Sequence, residues 1–131
     1  MSDDAGDRYT AGESVRRAVL GNDYVNSALV DSDEFWRPMQ EMVTEFCWGT
    51  VWTREGIDRR TRSLLNIAML SALNRTHEVE LHLRGALNNG CTAEEIREVV
   101  LQVAAYCGVP AAIDTMRIAK RVLTSSEEQD I

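Results

Sequence analysis

Helix start and stop signals punctuate this chain along almost its whole length, while strand signals are weak everywhere. Thr10-Ala-Gly-Glu13 reads as a capping box, and Gly21 can end the helix it opens. Ser32, followed by Asp33 and Glu34, puts a cap and two acids at the start of a longer helix that ends near Cys47. Pro38 falls in its first turns, where a missing N–H costs least. The stretch WGTVWTREGI, Trp48 to Ile57, carries glycines and β-branched residues and reads as a loop. Asp58 caps a helix through about Leu73, Asn74 stops it, and Thr76 starts the next, which stops at Asn89-Gly90. Thr92-Ala-Glu-Glu95 is a second capping box, opening a helix to about Tyr106. Cys107-Gly108-Val109-Pro110 is a break, with Pro110 in the first turn of the last helix. The expectation is an all-α bundle of six or seven helices in a single domain over residues 1–131. Residues 1–8 and 125–131 are expected to form flexible acidic tails.

With 131 residues the chain can bury one core. SLLNIAMLSAL, Ser63 to Leu73, is apolar or small at nearly every position, and IREVVLQVAAY, Ile96 to Tyr106, is similar. So small a domain has few interior places for such helices, and part of their surface is expected to pack against another subunit. The net charge of −7 argues against nucleic acid, which needs a basic face, but leaves room for a small anion in a locally positive pocket. No apolar run is long enough to span a bilayer. The polar, acidic N-terminus does not read as a signal peptide. Cys47, Cys91 and Cys107 are odd in number and include no Cys-x-x-Cys pair, so a reducing cytoplasm is the default and each cysteine reads as a small buried hydrophobe.

Both histidines, His77 and His82, lie in RTHEVELHLRGALNNG, and Glu78 follows the first. The stretch is one residue out of step with the His-Glu-x-x-His zinc motif. At about 100° per residue, a spacing of five turns the two imidazoles about 140° apart, so they cannot grip one metal from the same face. No metal site is expected. Glu78 and His82 are four apart and share a face. They sit at the edge of a core stripe of Val79, Leu83, Ala86 and Leu87, where a side chain is half-shielded and still reaches a cavity. A shielded histidine beside a carboxylate suits proton transfer, because its ordinary pKa is about 6.5 and the carboxylate raises it and fixes the tautomer. The same pair also occurs as a plain surface contact.

Several longer stretches carry a resemblance. Trp48-Gly49-x-x-Trp52, His82-x-Arg84-Gly85-Ala86, Asn88-Asn89-Gly90 and Tyr106-Cys107-Gly108-Val109-Pro110-Ala111-Ala112 are similar to the carboxymuconolactone decarboxylases of the alkylhydroperoxidase D-like superfamily, over nearly all of Tyr9 to Leu123. The redox branch of that superfamily has a Cys-x-x-Cys before the shared histidine. Those positions are Arg75 and Glu78 here, and its upstream catalytic Glu matches Ser63, so the peroxidase machinery is missing. The resemblance implies an all-α subunit in a homo-trimer or homo-hexamer, no cofactor, and decarboxylation of gamma-carboxymuconolactone to beta-ketoadipate enol-lactone in protocatechuate catabolism. By the same resemblance, His82, Glu78 and Arg75 line the pocket.

The chemistry suits these residues. Loss of CO2 from such a lactone sends an electron pair through the ring double bond into the lactone carbonyl, so the substrate supplies its own electron sink. The protein must hold two carboxylates, stabilise the dienolate and deliver a proton to ring carbon. His82 is expected to move the proton, with Glu78 sustaining its charged form. Arg75 and Arg62 are the first choices to bind carboxylate, Arg54 and Arg59 the next. Arg84 lies about 200° around the helix from His82, so it either joins this site across a subunit interface or is structural. Trp48 and Trp52 either wall the pocket or plug the core. Tyr106 either donates to the lactone oxygen or, the stronger expectation, is buried with a structural hydrogen bond. Other readings are action on a different lactone or keto acid, and a non-catalytic helical oligomer.

Overall fold

The computed structural model describes residues 4–129, and their side chains as far as residue 126. It is all-α, with no strand among the described residues. The helices are α1 (Asp4–Leu20), α2 (Asn22–Val30), α3 (Arg37–Met42), a π-helix (Val43–Val51), α4 (Arg59–Ala72), α5 (Thr76–Asn88), α6 (Ala93–Cys107) and α7 (Val109–Gln129). They fall into two compact units, divided between Asp58 and Arg59. The expected tails are helical where they are described, in α1 and α7, and residues 1–3 and 130–131 lie outside the described residues.

In the first unit, α1 packs along the π-helix, with α2 and α3 joined to this pair. The contact is made backbone to backbone. A Cβ on Gly12 would stand 2.0 Å from the Thr44 carbonyl oxygen, and one on Gly49 would stand 2.2 Å from that of Arg8. Only glycine at both positions lets the two helices come so close. Trp48 in the π-helix and Trp52 just past its end meet with ring centroids 4.8 Å apart, both buried. Arg16, only 5% exposed, donates to Gln40 Oε1 of α3 at 2.8 Å.

Three sequence expectations fail in this unit. Thr10 does not cap, because α1 already runs through it, and its hydroxyl donates back to the Gly6 carbonyl at 3.1 Å while Glu13 pairs with Arg17. The helix expected from Ser32 begins at Arg37, since the Asp33 carboxylate accepts from the Trp36 N–H at 3.0 Å and holds a turn there. The expected loop at Trp48 is helical through Val51, where bonds such as Trp52 N–H to the Cys47 carbonyl span five residues.

The second unit follows its punctuation closely. Asn74 and Gly90 take positive φ, 59° and 88°, at the ends of α4 and α5, and Gly108 at 104° separates α6 from α7. The Thr92 capping box forms, with Glu95 N–H donating to Thr92 Oγ1 and Thr92 N–H to Glu95 Oε1. Arg60 bonds Glu95 as well, and these contacts hold that carboxyl below the usual range, the Thr92 N–H most of all. Helix α5 packs on α4 and α7, and α6 on α7 and α4. Ile67, Val79, Leu83, Ala86, Ile96, Ile118 and Val122 form the main core cluster.

The apolar helix α4 is not buried all round. Ser63, Ile67 and Ser71 face inward, while Leu65, Met69 and, just past its end, Leu73, spaced by four, stay exposed. Two further expectations fail: Tyr106 is 82% exposed, and of the cysteines only Cys91 is buried. Small side chains settle the inward face of α4, because Ser71 donates to the Ile67 carbonyl at 2.6 Å and meets Thr115 at 2.7 Å, which satisfies two buried hydroxyls.

Gly12→Ala is expected to destabilise the protein by about 2 kcal/mol or more in denaturant unfolding, because the methyl meets backbone that cannot yield. Gly56→Ala, where a Cβ meets nothing within 4 Å, is the control and should shift stability by less than about 0.5 kcal/mol.

Candidate functional site

The second unit gathers polar groups along one edge of the α4–α5 contact. Burying Val79, Leu83 and Ala86 of α5 turns His82, on the flank of that stripe, half into the protein. On α4 the same packing buries Ser63 and Ile67 and brings Asn66 alongside. Asn66 Nδ2 lies 3.4 Å from His82 Nδ1. An amide can meet Nδ1 through its NH2 or, turned by half a rotation, through its oxygen, so Asn66 can pair with either tautomer of the ring. Arg62 lies one helical turn before Asn66 on the same stripe of α4. It is half-buried, with its Nε shielded from solvent.

Burial pushes the His82 pKa below its ordinary value of 6.5, and the charge of Glu78 raises it by less. The expectation that Glu78 would hold the ring protonated therefore meets a stronger opposing effect. Glu78 is exposed, and Asn66 reaches hydrogen-bonding distance of the ring. Desolvation of a charged imidazole outweighs attraction to a carboxylate that water screens.

The other sequence-chosen residues spread out. Arg75 is exposed at the N-cap of α5, outside the helix, with φ −94° and ψ 72°. Arg54 and Arg59 are exposed too. Arg62 is thus the one of these four arginines with a shielded head group. Trp48 and Trp52 lie buried in the first unit, stacked on each other. His77 is exposed on another face of α5 and lines an open cavity with Glu80, Asp114, Arg117 and Arg121. Glu80 accepts from Arg121 at 2.6 Å, which holds its carboxyl below the usual range and ties α5 to α7. Arg84 stands 4.0 Å from Glu80, away from His82. Ser63 accepts from Asn89 Nδ2 at 2.9 Å and is fully buried, so it joins α4 to the end of α5. No group of three or more His, Cys, Asp or Glu able to hold a metal ion occurs among the described residues.

Sequence reasoning missed Asn66. Its signal was present: it is the single amide in the run SLLNIAMLSAL, where a helix otherwise apolar or small must find that amide a partner. Spacing within α5 could reveal Glu78 only, because the partner on α4 is set by packing.

Residues 37–121 match the carboxymuconolactone decarboxylase family. The chain is 46% identical over 115 residues, 88% of its length and 80% of the relative's, to nitrosuccinic acid decarboxylase of Metarhizium robertsii. It is 43% identical over 115 residues, 88% of its length and 86% of the relative's, to 4-carboxymuconolactone decarboxylase of Acinetobacter baylyi. An uncharacterized 15.0 kDa protein of Paracoccus denitrificans is 33% identical over 87 residues, 65% of each chain.

A pH titration of the His82 ring by NMR should give a midpoint below 6.5, and Glu78→Gln should move it further down by removing the attraction that opposes burial. The unfolded chain takes up this proton more readily, so stability falls as pH drops from about 6.5 to the folded midpoint and stays level, for this group, below it.

Proposed function

Because this chain belongs to the carboxymuconolactone decarboxylase family, we propose that it is a carboxy-lyase working on a small diacid that carries its own electron sink. The first substrate is gamma-carboxymuconolactone, converted to beta-ketoadipate enol-lactone in aromatic catabolism. The observation that carries this reading is the half-buried His82, held at Nδ1 by Asn66 in a chain so similar to two named decarboxylases.

Chemically, the carboxylate carbon leaves as CO2 and its bonding pair enters the ring, forming a dienolate. A proton from solvent then reaches ring carbon, and charge balances overall. His82 carries that proton. Its lowered pKa makes the charged ring a stronger acid and hence a faster donor to carbon. The same shift keeps the ring neutral until substrate binds. Two substrate carboxylates alongside would then favour the charged form, which charges the donor only in the complex. Arg62 binds carboxylate, its guanidinium already part-shielded and so less weakened by water. Arg75, being exposed, contributes less. Glu78 adds a modest field at the ring. Trp48 and Trp52, buried against each other, hold the shape of the first unit.

The greater identity to a nitrosuccinic acid decarboxylase supports a second substrate reading. Nitrosuccinic acid is also a diacid with an electron sink beside the departing carboxyl, here a nitro group that takes the pair as a nitronate. Both reactions ask the same of the protein: hold two carboxylates and protonate a stabilised carbanion. The proposal therefore extends to a single domain, without cofactor, in the cytoplasm. Leu65 and Met69 of α4 and Leu73 just past its end, all exposed, with Leu101 of α6 and Ile113 of α7, support assembly into a homo-trimer or homo-hexamer. No described helix is long and apolar enough to cross a membrane.

Ultraviolet assays with freshly generated lactone and, in parallel, with nitrosuccinate decide between the substrates, and turnover of neither overturns the reading. His82→Ala should cut turnover of the active substrate by about two to four decades with the helical fold intact; near-normal turnover removes His82 from the mechanism. Arg62→Ala should raise KM by about tenfold or more, and Arg75→Ala by clearly less.

A further inference from the structure

We propose that a groove between α6 and α7 is a second binding site, one that takes a small carboxylate carrying an apolar ring. The groove encloses about 280 Å3. Ile96 of α6 and Ala119 of α7 form its floor, and both belong to the main core cluster, so packing sets the floor before any ligand arrives. Met116 and Leu123 lie one helical turn to either side of Ala119 and supply apolar walls. The short side chain of Ala119 leaves depth between them. Arg97 of α6 and Lys120 of α7 line the same groove. Both are exposed, and neither has an ion pair among the described residues.

Charge selects the occupant. No described Asp or Glu lines the groove, nor the adjoining cavity that shares Lys120 with it and is lined also by Arg117 and Arg121. Those two arginines already meet Asp114 and Glu80. Of the acids flanking Arg97 on α6, Glu95 is tied to Arg60 and the Thr92 N–H, and Glu94 and Glu98 are exposed to water that screens them. In a chain of net charge −7 this is a local reversal of sign, which draws an anion to one place. The same net charge opposes docking on an anionic membrane. The volume is at the small end for a ligand site, with room for one ring rather than a long acyl chain. Arginine meets a carboxylate in a two-point fork and lysine meets it as a point charge, while the ring covers the apolar floor. The groove shares no lining residue with the Asn66–His82 cluster, so the proposal stands whatever reaction His82 serves.

Amide NMR titration of the full chain reads the site directly. Benzoate is the probe, with benzyl alcohol to supply the ring without the charge and acetate the charge without the ring. Benzoate should shift the amide signals of Ile96, Ala119 and Leu123 saturably at about millimolar concentration, and each control should need about tenfold more or fail to saturate. Arg97→Gln and Lys120→Gln, both at exposed positions, should each weaken benzoate about three- to tenfold. Arg62→Ala, on α4, should leave the groove signals responding as in the wild type. Benzoate shifts confined to α4 and α5, equal affinity for benzyl alcohol, or full benzoate affinity in the protein carrying both Arg97→Gln and Lys120→Gln overturns the proposal. Groove signals that move with protein concentration alone, and that benzoate then fails to shift, assign the groove to a second copy of the chain and overturn it as well.

Discussion

The apolar contact between α4 and α5 is what the chemistry of this protein rests on. Ile67 from one helix and Val79, Leu83 and Ala86 from the other lie in one buried cluster, with Ile118 and Val122 of α7 closing it. Burying side chains of this size contributes roughly 1.5–3 kcal/mol each, before the chain entropy that opposes it. A hydrogen bond as long as 3.4 Å contributes far less on its own. The core therefore places Asn66 against His82, and the bond between them reports that placement rather than causing it. The same burial removes water from the imidazole and lowers its affinity for a proton.

Two opposing effects meet at that ring. Glu78 favours the charged imidazole, as its position one turn away on α5 suggests, but it acts through solvent. Desolvation acts on the ring itself and prevails. For the reaction proposed above this order is an advantage, since a reluctant imidazolium would give up its proton readily. A binding dianion can restore the charge at the moment it is needed.

In the first unit the controlling constraint is steric. Gly12 and Gly49 let the backbone of α1 touch that of the π-helix, and the Arg16 guanidinium is buried on Gln40 of α3. Trp48 and Trp52 meet where the π-helix ends. None of this follows from apolar periodicity. A glycine inside a helical stretch reads as a breaker unless the partner backbone is known, which is why Trp48-Gly49 looked like the start of a loop. Thr10 misled in the complementary way. Its spacing to Glu13 satisfies a capping box, but α1 begins at Asp4, so no free N–H groups remain there to cap.

What the sequence determined by itself was local. The helical class, the stops at Asn74, Gly90 and Gly108 and the cap at Thr92 depend on backbone freedom and hydrogen bonds within a few residues. The buried stripe of α5 and the position of His82 at its edge follow from a period of 3.6 residues. The tertiary structure decided what spacing cannot encode. It chose Asn66 over Glu78 as the group that meets the ring, shielded Arg62 and left Arg75 in water, and exposed Tyr106 and Cys107. The reason is that desolvation depends on which helices come together, and that is fixed by the packing of faces far apart in the chain.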